Sequence, residues 1–173
     1  MADLRVARRC THPRCLYLAH FLQYNELMSA FDWCSQTSDV HVVVLTGSPE
    51  SKPREFYSSG NDLSNFTDNM TSGELDIPAL TRAARDTCEK FVNSFIDFPK
   101  PLIAAVNGPA FGIAVTTLQL CDLVYAKESA TFTTPFTQLG QNPEGASSIL
   151  FPQRLGQKAN QMLLLGYTMT AKE

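Results

Sequence analysis

Pro101-Leu102-Ile103-Ala104-Ala105-Val106-Asn107-Gly108-Pro109-Ala110-Phe111-Gly112 is the stretch on which the fold class turns. Leu102 to Val106 is an uninterrupted apolar run and reads as a buried strand, which Asn107-Gly108-Pro109 must end because Gly and Pro favour turns. Gly112 then opens a helix over residues 113–120 that is apolar on nearly every side. A buried strand leading through a glycine turn into a buried helix belongs to an α/β layer fold rather than to an all-helical or all-strand one.

Working outward, the same alternation continues on both sides. Upstream, residues 21–34 carry Phe21, Leu22, Leu27, Met28, Phe31 and Trp33 at helical spacing. Residues 40–46 are β-branched without alternation and predict a parallel strand covered on both faces. A long helix is expected over residues 78–97, with Leu80, Ala84, Thr87, Phe91 and Phe95 on one stripe and Pro99 closing it. Downstream, residues 122–126 and 130–133 read as short strands, and residues 143–155 and 157–165 as helices. Thr170-Ala171-Lys172-Glu173 has the form of a capping box that starts a helix. The helix it announces is absent, which predicts a domain incomplete at its C-terminal end and water-facing parts of Phe151, Met162, Leu163 and Leu164.

Composition excludes several function classes. The chain has 173 residues, 44% hydrophobic and 18% charged, which suits one compact domain or a large part of one. With 14 basic and 17 acidic residues the net charge is −3, so no general positive field gathers nucleic acid or anionic lipid. No apolar run approaches the length of a membrane span, and membrane insertion is not expected. Five cysteines scattered through a chain of this size predict free thiols in a reducing compartment. Cys10, Cys15, His12 and His20 lack the paired spacing of a structural zinc site, so no metal is expected. The first fifteen residues hold Arg5, Arg8, Arg9 and Arg14 against Asp3, an organelle-targeting composition without the apolar core of a secretory signal.

Three segments carry chemistry. Tyr57-Ser58-Ser59-Gly60-Asn61-Asp62-Leu63 places a glycine among small polar residues, with Asp62 available as a cap. Gly112-Ile113 opens a helix whose first N–H groups have no internal partner. Converged, the two turns would make a two-donor oxyanion hole for charge developing on a carbonyl oxygen; separate, they would merely serve tight turns. Glu144, between Pro143 and Gly145, is placed just inside a helix start. There it is either a first-turn partner of the helix dipole or, if buried, a base whose pKa is raised toward neutrality. Asp122 reads as a strand-entry residue, and Lys52, Arg54 and Lys100 as surface cations within reach of phosphates.

Together with Thr133-Thr134-Pro135-Phe136-Thr137-Gln138-Leu139-Gly140-Gln141-Asn142-Pro143-Glu144-Gly145, the two glycine segments resemble the enoyl-CoA hydratase/isomerase (crotonase) superfamily, most nearly its peroxisomal-type Δ3,Δ2-enoyl-CoA isomerases. The resemblance runs over residues 21–173 and leaves residues 1–20 as an atypical N-terminal segment. It implies an α/β fold, a crotonase-like spiral of ββα units incomplete at the C-terminal end, that binds acyl-CoA thioesters. Ser58, Ser59, Gly60, Asn61, Asp62, Leu63, Gly112 and Ile113 would line the substrate site, and the amides of Ser59 and Ile113 would hold the thioester oxygen. The positions of the two hydratase glutamates match Thr116 and Phe136, while Glu144 matches the single glutamate of the isomerases. The implied reaction is 3-enoyl-CoA to 2-trans-enoyl-CoA in β-oxidation, in a peroxisome or mitochondrion, with no cofactor beyond the CoA of the substrate and a homotrimeric full-length protein. The alternative is a non-catalytic acyl-CoA-binding or protein-interaction module, such as the crotonase-like domains of chromatin regulators.

Overall fold

A computed structural model of the chain describes residues 21–47, 56–60 and 76–173, with side chains from residue 24 onward. Its first helix, α1 (Phe21–Gln36), is followed by β1 (Val43–Thr46), α2 (Ile77–Ile96), β2 (Leu102–Val106) and β3 (Ala110–Phe111). A one-turn helix, α3 (Ile113–Thr116), runs directly into a 3₁₀ turn (Thr117–Leu120). Then come β4 (Leu123–Ala126), β5 (Thr131–Thr133), α4 (Ser147–Leu155), α5 (Lys158–Leu165) and β6 (Met169–Thr170). Among the described residues the strands form two three-stranded sheets, ordered β1-β2-β4, all parallel, and β3-β5-β6, in which β3 and β5 are parallel and β6 antiparallel.

The helices α1 and α2 form because each buries an aromatic edge against the other. Tyr24 and Phe91 have ring centroids 4.3 Å apart, and Phe31 meets Phe95 edge-on at 5.0 Å. Asp76 caps α2 by accepting from Ala79 N–H at 2.9 Å. Of the stripe expected along α2, only Phe91 and Phe95 are buried; Leu80 and Ala84 face water. Lys100 is not a free surface cation: its ammonium donates to the carbonyls of Cys34 at 2.6 Å and Thr37 at 2.7 Å, closing the C-terminal end of α1. Asp122 likewise has a structural role, accepting from Leu102 N–H at 2.7 Å where β2 begins.

The parallel pairing expected of residues 40–46 and 102–106 is present, in a strand shortened to Val43–Thr46. Among the described residues, coverage of both faces is not. Leu102, Ala104 and Val106 are buried on one side of β2, whereas Val44 on the other side of the sheet faces solvent, and the edge strand β4 is exposed on both sides, Leu123 (50%) and Tyr125 (64%) on one and Val124 (43%) on the other. The run of β-branched residues described side chains suited to two covered faces, yet no described segment lies over the second one.

Near the C-terminus, Phe151, Met162 and Leu163 are buried, contrary to the expectation that they face water; only Leu164 does, with Leu165 and Ile149. The reason is that α4 and α5 pack these side chains inward, each stabilising by about 1.5–3 kcal/mol relative to exposure. The capping box at Thr170 is half formed: Glu173 accepts from the Thr170 N–H at 2.9 Å and its hydroxyl at 2.8 Å. Among the described residues no helix is long and apolar enough to cross a membrane. Cys34, Cys88 and Cys121 are free thiols, while Cys10, Cys15, His12 and His20 lie outside the described residues.

Candidate functional site

A short parallel pairing joins the two glycine turns. Tyr57 and Ser58 donate their amides to the Pro109 carbonyl at 3.0 and 3.3 Å, and Phe111 N–H returns a bond to the Ser58 carbonyl at 3.1 Å. Ser59 follows on one side and Gly112-Ile113 on the other, so both candidate amides leave the pairing at the same end. Gly60 packs against the Phe111 carbonyl so closely that a Cβ would sit 3.0 Å from its oxygen. Gly112 has φ +56° and ψ −127°, a conformation that L side chains rarely adopt, and it turns the chain from β3 into α3. Its own N–H is held by the Thr133 carbonyl at 2.9 Å, and its carbonyl accepts from Val115 and Thr116. Among the described residues neither the Ser59 nor the Ile113 amide has an acceptor. The Ser58 hydroxyl accepts from Gly60 N–H at 3.2 Å, and the Ser59 hydroxyl is buried without a hydrogen-bond partner. Asn61, Asp62 and Leu63, with Lys52 and Arg54, lie outside the described residues.

Glu144 is not inside a helix. Gly145 and Ala146 have φ +63° and +58°, left-handed values that no α-helix runs through, so α4 starts only at Ser147. The dipole reading of Glu144 is therefore overturned. Ser147 anchors the Glu144 backbone instead, its N–H and hydroxyl reaching the Glu144 carbonyl at 3.0 and 2.6 Å. Released from the helix, the side chain turns inward, where its Oε1 accepts from the Thr116 hydroxyl at 3.0 Å. Oε2 is buried with no partner. Burial pushes the carboxyl from an ordinary 4.5 up to about 7, the Thr116 hydrogen bond pulling weakly the other way. This is the range in which a carboxylate both accepts and returns a proton at neutral pH.

Thr116 and Phe136 are both buried, and neither is a carboxylate. Sequence reasoning did not find two further neighbours of Glu144. Tyr24 of α1 and Cys88 of α2 both lie close enough to feel its charge, and burial holds both in their neutral forms, the thiol pushed up to about 11. Nothing in local spacing marks them, since they reach the site only through the packing of α1 on α2. Among the described residues there is no group of three or more His, Cys, Asp or Glu side chains that could hold a metal ion.

The arrangement thus comprises one buried, near-neutral carboxyl and two backbone donors without an acceptor among the described residues, carried by adjoining turns. The enoyl-CoA hydratase/isomerase family profile matches residues 22–173. Enoyl-CoA delta isomerase 2 of Rattus norvegicus is 49% identical over 154 residues, covering 88% of this chain and 37% of the relative. Testis-specific chromodomain protein Y 1 of Homo sapiens is 53% identical over 89 residues, covering 51% of this chain and 16% of the relative. The crystal structure of a putative enoyl-CoA hydratase/isomerase from Acinetobacter baumannii superposes with a TM-score of 0.77 at 31% identity, covering 93% of this chain and 63% of that one. The chain therefore spans little more than a third of the rat relative's length and under two thirds of the bacterial structure's. Over residues 22–173, the glycine turns and Glu144 included, the chain belongs to the enoyl-CoA hydratase/isomerase family.

Proposed function

We propose that the chain carries the acyl-CoA site of an isomerase that converts 3-enoyl-CoA to 2-trans-enoyl-CoA. The observation that carries this reading is the buried Glu144 carboxyl with Oε2 unpartnered and its pKa near 7, in a site where Thr116 and Phe136 occupy the positions that the resemblance assigns to the glutamates of hydratases. One carboxylate suffices for isomerisation. Glu144 takes a proton from C2, so that the C–H bond breaks, an O–H bond forms and a dienolate remains. The amides of Ser59 and Ile113 stabilise its oxygen, a contribution worth about 3 kcal/mol per donor in comparable sites. The same proton then passes to C4 and the carboxylate is regenerated. Ser58, Gly60, Asn61, Asp62, Leu63 and Gly112 complete the substrate surface in this reading. CoA enters only as part of the substrate, the complete protein is a homotrimer, and its place in unsaturated fatty-acid β-oxidation puts it in a peroxisome or mitochondrion.

The likeness to a chromodomain protein favours a second reading, a non-catalytic acyl-CoA-binding or interaction module. Glu144 separates the two, because a binding platform has no use for a near-neutral base. Glu144→Gln keeps shape and hydrogen bonding but cannot accept the proton. In a full-length version of the protein it should abolish 3-enoyl-CoA isomerisation while leaving CoA-thioester binding nearly intact. Retention of more than about a tenth of the wild-type rate, against the hundredfold or greater loss expected of a general base, would sink the isomerase reading.

A further inference from the structure

The Thr116 hydroxyl faces two acceptors with one hydrogen. Its Oγ1 lies 3.0 Å from Glu144 Oε1 and 3.1 Å from the carbonyl oxygen of Ile113, one turn back in the same helix. Thr116 is fully buried, and Gly145, next to Glu144, packs so closely on it that a Cβ there would overlap its Oγ1. The hydroxyl therefore cannot swing out to solvent, and because the Ile113 carbonyl already accepts from the Thr117 hydroxyl at 2.8 Å and from the Thr117 N–H, Glu144 Oε1 is the acceptor left open to it. Oε2 of the same carboxyl has no partner.

Resting on the isomerase reading above, we propose that Thr116 is the positioning residue of Glu144: it pins Oε1 and so assigns the proton to Oε2. A hydrogen bond to an ionised acceptor is roughly twice as strong as one to a neutral acceptor. The hydroxyl thus sides with Glu144 while the carboxylate is charged. When Oε2 takes the C2 proton the bond to Oε1 weakens but keeps its partner, because the local helix carbonyl of Ile113 is already taken up by the Thr117 hydroxyl and N–H. The Thr116 proton is never transferred. The same residue contacts the carbonyl of Ile113, whose N–H is the second oxyanion donor of the proposal, so the base and the donor turn are joined through one hydroxyl.

Among the described residues, the other titratable groups facing Glu144 are Tyr24 from α1 and Cys88 from α2, both held neutral by burial. Neither changes charge between pH 5 and 9. A shift of the Glu144 titration in this window on altering Thr116 therefore reports the hydroxyl.

The test is to titrate the Glu144 carboxyl in the 173-residue chain by difference infrared spectroscopy, identifying its band by its loss in Glu144→Gln. Thr116→Val, nearly isosteric, should raise the midpoint by about one pH unit, the order expected when an ionised group loses one hydrogen bond. Thr116→Ser should restore it. If the valine variant does not fold by circular dichroism, Thr116→Ala removes the same hydroxyl with less bulk and is read in its place. In full-length protein Thr116→Val should lower kcat about tenfold with KM within about twofold, and move the acidic limb of the rate profile up by the same shift. An unchanged midpoint in the variant lacking the hydroxyl overturns the positioning role, as does a serine variant that behaves like valine. An active Glu144→Gln enzyme overturns the isomerase reading instead, so the two failures are distinct.

Discussion

The side-chain amide of Asn107 takes up both backbone polar groups of Gly47: Oδ1 accepts from the Gly47 N–H at 3.0 Å, and Nδ2 donates to the Gly47 carbonyl at 3.1 Å. Gly47 ends β1 and Asn107 ends β2, so this pair ties the C-terminal edges of two parallel strands together at the level where Tyr57 and Ser58 lie along Pro109. Asn107→Ala leaves both Gly47 groups half-buried without the partner, and should cost about 1–3 kcal/mol in urea unfolding. Asn107→Asp keeps the acceptor but loses the donor and should fall between alanine and wild type. Alanine and wild-type proteins of equal stability would show that the tie contributes nothing.

Stability should depend on pH through Glu144. Its folded pKa, about 7, lies above the ordinary 4.5, so the folded state holds a proton that the unfolded state releases between these values. The contribution is fully present below pH 4.5 and is lost as pH rises through 7. At about 1.4 kcal/mol per unit, ionising the buried carboxyl costs about 3 kcal/mol by pH 8. Glu144→Gln should therefore be more stable than wild type at pH 8 and close to it at pH 5, as read by denaturant midpoints at the two values. A difference independent of pH would contradict the raised pKa.

The same shift predicts the rate profile of the proposed isomerase reaction. In that proposal only the ionised form of Glu144 accepts the C2 proton, so kcat/KM should rise with pH along a limb centred near 7. A limb near 4.5 would mean that the carboxyl is solvated in the free enzyme.

Gly145→Ala combines two costs at one place. The φ of +63° disfavours any Cβ, and the added methyl would overlap Thr116 Oγ1 and Cβ. Destabilisation of about 1–3 kcal/mol is expected from the backbone alone. A well-folded residual population should show impaired isomerase activity, because relief of the overlap must displace Glu144, Thr116 or both. Wild-type activity and stability together would mean that the turn has another route.

Hydration of 2-enoyl-CoA should be at least about a hundredfold slower than isomerisation of 3-enoyl-CoA in one full-length preparation, the usual worth of a positioned acid or base. Thr116 and Phe136, the buried residues that the resemblance matches to the two hydratase glutamates, carry no carboxylate for the further proton transfer that hydration needs. Parallel assays with the two substrates decide this directly, and comparable rates would contradict the single-carboxylate chemistry.

What the sequence determined by itself was local or repetitive. The apolar run at Leu102–Val106, the glycine turn at Gly112 and the aromatic spacing of α1 and α2 specify which segments form strands, turns and helices, because each depends on neighbours a few residues away. The motif order, with Ser59-Gly60, Gly112-Ile113 and Glu144, was enough to point to the family. Tertiary structure decided the rest. Two left-handed residues moved Glu144 out of the helix its flanking residues had suggested. Packing of α1 and α2 brought Tyr24 and Cys88 toward it, and a fold contact 28 residues away in sequence gave it Thr116. The two-sided coverage expected of residues 40–46 is not found among the described residues, because apolar character records what a side chain tolerates, while its exposure depends on which other segment lies above it. The carboxyl's displacement toward neutrality has the same origin: desolvation belongs to the surroundings of Glu144, and those surroundings are assembled from residues too distant in the chain for any local pattern to register.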